Sequence, residues 1–297
     1  LTKLSTSKPQ FVAKDNVIHV TAGDLLAEFH KSVAGLVELS YKGIQLLKGK
    51  SPELNFWRAP TDNDWGEGAH KKMNIWRNAG NSVVLKDVVL VEGENKLQIN
   101  YHLFSTDIQS DIFINYTVSG DGSIVCDIEY KTQNNFLPEM PRFGIMFTLP
   151  EEFENLSWYG RGPWENYIDR NVSSFMGIYE SKVKDQYYPY VRPQENGNKT
   201  DIRWITLTNN EGVGLKVEGL QPISFSALNY RPEDFDPGFS KKQQHISDMY
   251  PRREVVLSVD LFQRGLGGLN SWGAGPLKQY RFTEKIYSYS FKISGVE

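Results

Sequence analysis

The sequence has a single cysteine, Cys126, in 297 residues. One thiol excludes an intrachain disulfide and a cysteine-built zinc site, and it leaves the compartment open between cytoplasm and periplasm. Charge of one sign is also missing, since 33 Lys and Arg stand against 36 Asp and Glu, a net charge of −3. A nucleic-acid binder normally gathers a basic excess on one face, so that class is set aside. Long hydrophobic runs are absent; the longest, such as residues 83–85 and 88–91, are a few residues each. Nothing approaches the roughly 20 apolar residues of a membrane helix, and no secretory leader is visible. The histidines His19, His30, His70, His102 and His245 show no HxxxH or HxH spacing. There is no Gly-x-Ser-x-Gly elbow, and Gly265-Leu266-Gly267-Gly268 lacks the spacing and context of a dinucleotide fingerprint. Helical periodicity is scarce too. The best candidate is residues 69–78, closed by Gly80 in the C′ position.

What is present is aromatic and alternating. Aromatics make up 13%, with 25 Gly and 14 Pro, a mixture suited to half-buried β surfaces joined by many turns. Ile112, Ile114, Tyr116 and Val118 share one face, Ser119-Gly120-Asp121-Gly122-Ser123 supplies a turn, and Ile124, Cys126, Ile128 and Tyr130 alternate again. This predicts a β-hairpin, with Cys126 a small buried core residue. A second hairpin is predicted where residues 205–208 and 213–217 flank Asn209-Asn210-Glu211-Gly212. Phe143, Ile145, Phe147 and Leu149 alternate, as do Val255, Leu257, Val259 and Leu261, and then Tyr287, Tyr289, Phe291 and Ile293. Short strands are expected at residues 16–20, 25–29 and 36–41. With no linker and no repeat, the expectation is all-β: a large antiparallel β-sandwich with very little helix, one domain over residues 1–297.

Four polar loops carry the unusual chemistry: residues 55–66, 158–167, 192–197 and 265–273, each with aromatic or glycine residues among amides, carboxylates and arginines. Sugars suit such surfaces, because their C–H faces stack on rings while their hydroxyls pair with planar polar groups. Paired carboxylates would be needed for glycoside hydrolysis. Glu165, Asp169 and Glu195, or Asp62 with Asp64, can be nominated, but turn carboxylates usually bond their own backbone. Asp62, Asp64 and Glu67 could likewise hold a hard cation, against the simpler reading of a self-capping turn.

The four loops in this order strongly resemble the C-terminal domain of β-galactosidases of glycoside hydrolase family 2. The marks are Arg58-Ala59-Pro60-Thr61-Asp62-Asn63-Asp64, then Gly160-Arg161-Gly162-Pro163-Trp164-Glu165-Asn166-Tyr167-Ile168-Asp169-Arg170. Tyr188-Pro189-Tyr190-Val191-Arg192-Pro193-Gln194-Glu195-Asn196-Gly197 and Gly267-Gly268-Leu269-Asn270-Ser271-Trp272-Gly273 complete them. The resemblance implies a supersandwich of galactose mutarotase-like architecture. It implies that the retaining chemistry belongs to two glutamates on a separate TIM barrel, for which this chain has no βαβ pattern and no room. No residue here is then catalytic and none holds a metal; the family's magnesium and sodium sites lie largely on other domains. By the same match Trp272 is the tryptophan that reaches the active-site mouth and stacks on sugar, while Leu269 and Asn270 stand where the family is often acidic. Arg58 and Arg161 are expected to fork onto carboxylates such as Asp62, Asp64 or Glu165.

The expected partners are the remaining domains or a large chain of a β-galactosidase, a galactoside substrate, and further copies in an oligomer of the intact enzyme. Leu1 in place of Met fits a piece of a longer protein or a natural small subunit. Two other classes compete. One is a free-standing carbohydrate-binding module. The other is a mutarotase-like aldose epimerase, for which His245, beside Lys241 and Lys242, would be the acid or base.

Overall fold

The computed structural model describes residues 8–32, 35–48, 52–240, 244–270 and 272–297. Leu1, Lys241, Lys242 and Ser271, which figure above, lie outside the described residues. The chain opens with an antiparallel meander: β1 (Gln10–Lys14), β2 (Val17–Ala22), β3 (Leu25–His30), β4 (Gly35–Tyr41) and β5 (Ile44–Gln45). Strict alternation puts Ile18, Val20 and Ala22 of β2 on the same buried face as Leu25, Ala27 and Phe29 of β3. The strands expected at residues 16–20, 25–29 and 36–41 are therefore present.

The second sheet has twelve strands. They are β6 (Glu53–Asn55), β7 (Val83–Glu92), β8 (Lys96–Ser105), β9 (Ser110–Ser119), β10 (Ile124–Thr132), β11 (Arg142–Pro150), β12 (Asn155–Gly162), β13 (Phe175–Lys182), β14 (Lys199–Thr208), β15 (Gly214–Leu228), β16 (Glu254–Gln263) and β17 (Ile286–Val296). Its long strand β15 is the branch point. The first half pairs with β17, and through it with β10, β9, β8 and β7; the second half pairs with β16, and through it with β11 and β6. Strands that change partners in this way let one sheet fold over itself as two layers. The small sheet closes on the β8–β10 face. Phe29 packs on Tyr116 with ring centroids 5.2 Å apart, and the Tyr101 hydroxyl donates to the His30 carbonyl at 2.9 Å. One continuous apolar core runs from Ile18 to Ile293 through both sheets. The architecture is the all-β antiparallel sandwich that the alternation predicted.

Both predicted hairpins form, in register Ile124↔Val118 and Thr206↔Lys216. Cys126 is fully buried, and burial pushes its thiol well above the ordinary cysteine range. Two expectations need correction. In β11 residues 142–149 are buried on both faces, where the sequence pattern marked only Phe143, Ile145, Phe147 and Leu149. The second face is covered because loops and buried arginines pack on it; Arg231, for instance, donates to the Thr148 hydroxyl at 3.2 Å. The single helix expected over residues 69–78 is also absent. Instead there are α1 (Asp62–Glu67), α2 (Ala69–Lys72) and a 3₁₀ turn at Asn74–Trp76. The buried Trp76 lodges between Phe56 and Tyr130, each 6.0 Å away, and draws the chain inward before a regular helix can continue. Gly80 is not a left-handed cap, since its φ is not positive. It is there for closeness: a Cβ would lie 2.2 Å from the Leu54 carbonyl oxygen.

Candidate functional site

Helix α1 starts the site. Thr61 caps it, accepting from the Asp64 amide at 3.2 Å, while the Asp64 carboxylate accepts from the Thr61 amide at 3.0 Å. This reciprocal cap satisfies two amides that helix formation would orphan. Gly68, at φ 76°, ends the helix in the left-handed conformation that favours glycine. Asp64 is thereby aimed inward at two buried arginines. Arg58 forks onto it at 2.9 and 3.1 Å, and Arg264 reaches it at 3.3 Å. Burial alone would raise the Asp64 carboxyl, but the Arg58 guanidinium outweighs it and holds the group below the usual carboxylate range. Arg264 also grips Glu67 through both oxygens at 2.7 Å and Glu139 at 3.0 Å.

The second and third motifs are tied to each other. The fully buried Asn166 side chain accepts from the Thr200 amide at 2.9 Å and its hydroxyl at 2.7 Å, and the Asn166 backbone N–H donates to the Asn198 carbonyl at 2.7 Å. Glu165 accepts from Arg170 and the Gly197 amide, each at 2.8 Å, and from the Tyr190 hydroxyl. Glu195 accepts from Gln263 at 3.0 Å, and its second oxygen stands 3.8 Å from Arg142. Burial raises the Glu195 carboxyl against the pull of Arg142. Asp260, fully buried and 2.6 Å from Arg142, is pushed up to about 6 by burial as well. The third motif then reaches back to the first. Gln194 accepts from the Asp62 amide at 2.9 Å, and Arg192 donates to the Asp62 carboxylate at 3.0 Å.

The fourth motif lies on top. Asp169 accepts from the Leu266 and Gly267 amides at 2.9 Å each, which pins the start of the loop. Gly267, Gly268 and Gly273 all have positive φ, and added side chains would not fit at the last two. A Cβ on Gly268 would lie 2.6 Å from the Asn63 amide nitrogen, and one on Gly273 would lie 2.7 Å from the Gly66 carbonyl. The Asn270 side chain accepts from the Trp272 and Ala274 amides at 2.9 and 3.3 Å. At the apex Trp272 is 92% exposed. Such an indole offers a flat apolar face with a polar tip.

The four segments that stood out in the sequence are therefore one assembly, and residues of all four line a cleft of about 220 Å³. Thr61, Asp62, Glu165, Tyr190, Gln194 and Leu266 line much of it. Each nominated carboxylate is tied to arginines, amides or backbone: Glu165 to Arg170 and Gly197, Glu195 to Gln263, Asp169 to Leu266 and Gly267, Asp62 to Arg192 and Asp64 to Arg58. Asp62, Asp64 and Glu67 are each engaged by arginines: Arg192 holds Asp62, Arg58 and Arg264 hold Asp64, and Arg264 holds Glu67. Among the described residues no group of three or more His, Cys, Asp or Glu could hold a metal ion. Arg58 forks as expected. Arg161 does not reach Asp62, Asp64 or Glu165; it pairs with Asp201 and donates to the Asn171 and Ser174 carbonyls at 3.1 and 2.8 Å. The reason is its place on β12, whose neighbour β14 carries Asp201. His245 is exposed in a short turn with Ser247 and Asp248, and it is not among the residues that line the cleft. Sequence reasoning missed Arg142, Asp260, Arg264 and the buried Lys199. The available signal was a charge inside or directly beside an apolar alternating strand.

Comparison with known proteins follows the same outline. The family model described as "Beta galactosidase small chain" matches residues 21–293. A beta-galactosidase of Priestia megaterium is 32% identical over 94% of this chain and 26% of its own length. A beta-galactosidase of Lactobacillus delbrueckii subsp. bulgaricus is 31% identical over 90% of this chain and 26% of its own. The chain thus spans about a quarter of the length of these curated relatives. Among solved structures, a TPR-domain containing protein from Parabacteroides distasonis superposes with a TM-score of 0.51 at 8% identity, over 94% of this chain and 47% of that one. That likeness concerns the fold alone. On the family match and the identity to its relatives, the chain belongs to the beta-galactosidase small-chain family.

Proposed function

We propose that this chain serves as the non-catalytic C-terminal part of a β-galactosidase, completing the active-site cleft and stacking Trp272 on the sugar. The intact protein hydrolyses terminal non-reducing β-D-galactose residues with retention. The catalytic glutamates, together with any magnesium and sodium, sit on the domains or large chain that partner this one. The observation that carries the reading is Trp272 itself, 92% exposed at the apex of a loop whose flanks are pinned by Asp169 and Asn270. An indole left in water is ordinarily unfavourable, and one held on a braced loop is a ready partner for an apolar sugar face. The engagement of Glu165, Asp169, Glu195, Asp62 and Asp64 in structural bonds supports the non-catalytic half of the proposal. The test is hydrolysis of p-nitrophenyl-β-galactoside by the purified chain, alone and with the remainder of the enzyme added. The chain alone is expected to be silent and the mixture active. Saturable turnover by the chain alone would overturn the proposal.

A further inference from the structure

The cleft lined by the four loops holds a polar group that the protein itself leaves unsatisfied. Tyr167 lines it and is 1% exposed, and its hydroxyl makes no hydrogen bond. Apart from burial, Glu165, Glu195 and Tyr190 act most strongly on this phenol, and all three line the same cleft. Tyr167 is buried yet belongs to neither apolar cluster, so it sits among the polar groups of the cleft wall rather than inside the apolar core. Burial, the larger effect, and the nearby carboxylates push Tyr167 well above the ordinary tyrosine range. At neutral pH it is an O–H donor without an acceptor, an arrangement that costs stability unless something else accepts.

The composition of the cleft says what that something is. Asp62, Glu165 and Glu195 offer acceptor oxygens, Arg170, Gln194 and Tyr167 offer donors, and Leu266 supplies an apolar wall. An anion would face three carboxylates. A hard cation would compete with Arg192 and Arg170, which already neutralise Asp62 and Glu165. A neutral ring bearing several hydroxyls both donates and accepts, and a volume of about 220 Å³ has room for one. We propose that this cleft is a second saccharide site, taking one neutral pyranose through its hydroxyls, with Tyr167 donating at its floor. The ligand class rests on the sugar-binding reading above, but the residues are different from Trp272.

The test separates the two. The full chain carrying Trp272→Ala, which lacks the stacking indole, is titrated with methyl β-D-galactopyranoside by protein-detected NMR. Binding is expected to persist. Adding Tyr167→Phe, which removes one oxygen, is expected to weaken it about fivefold, the equivalent of one net hydrogen bond. Thermal melts report whether each variant folds, and Glu165→Gln gives an independent second reading with a weakening of the same order. Equal affinity with and without the Tyr167 hydroxyl overturns the proposal. So does a site that binds calcium or sodium chloride in place of the sugar. A chain that binds no sugar at the cleft yet restores hydrolysis overturns the second site alone. If restoration fails as well, the reading beneath it falls too.

Discussion

In β8, β9 and β10 every second residue is buried and nearly all of these are apolar, and among the described residues of those strands no buried side chain is charged. Some way along the same sheet, Arg58, Arg142 and Arg264 are each 2% exposed or less, with Asp64, Glu195, Lys199 and Asp260 buried around them. The first region is held by apolar area, which is non-directional and scales with the surface removed from water. The second is held by paired charges whose geometry has to be met atom by atom. The difference follows from what each region does. The hairpin stack only has to exclude water. The corner has to keep four loops, from four distant parts of the sequence, at fixed positions around a cleft and beneath Trp272.

The largest expected break in the comparison comes from removing one member of the charged set. Asp64→Ala leaves Arg58 and Arg264 without the carboxylate they share. It should cost about 3–5 kcal/mol in urea unfolding, the range for stranding a buried charge. Next comes the response to alkaline pH. Burial lowers Lys199 from 10.5 to about 8, where its amine lies 5.0 Å from the Trp158 ring centroid and donates to Gln186 at 2.5 Å. Below pH 8 both folded and unfolded chains carry this proton, and the folded one bears the cost of a buried charge. Between about 8 and 10.5 the folded chain has lost it and the unfolded chain has not, so the Lys199 contribution to stability rises with pH. The gain is on the order of 3 kcal/mol across the whole window. Lys199→Met should flatten that part of the stability profile, and an unchanged slope would contradict the assignment. The smallest effect belongs to the apolar stack. Ile128→Val should cost about 1 kcal/mol, because it removes one methylene from a well-packed face, with no pH dependence of its own.

This contrast also governs how much could be read in advance. Period-two alternation is local, so Ile112 to Tyr130 announced a hairpin and its buried face without help from the rest of the chain. The corner depends on partners as far apart as Arg58 and the Arg264 carbonyl, and no local pattern pairs them. Its loops were conspicuous for composition and for their family resemblance, which is why the four motifs stood out. Their mutual geometry was not legible: Arg161 was assigned the wrong carboxylate because only the β12–β14 pairing brings Asp201 beside it. Likewise α1 read as a bare turn, although its Thr61–Asp64 cap was present in the sequence. Residues 69–78 read as one helix because the buried position of Trp76 is a tertiary fact.

The central claim is that the corner exists to present Trp272 to a galactoside bound on a partner. Its most direct measurement is steady-state hydrolysis of a β-galactoside by the reassembled enzyme with Trp272 or with Trp272→Ala. If the indole stacks on the sugar, the variant should assemble normally and lose about tenfold in kcat/KM, consistent with removal of one aromatic contact. Identical kcat and KM for the two forms would contradict the account.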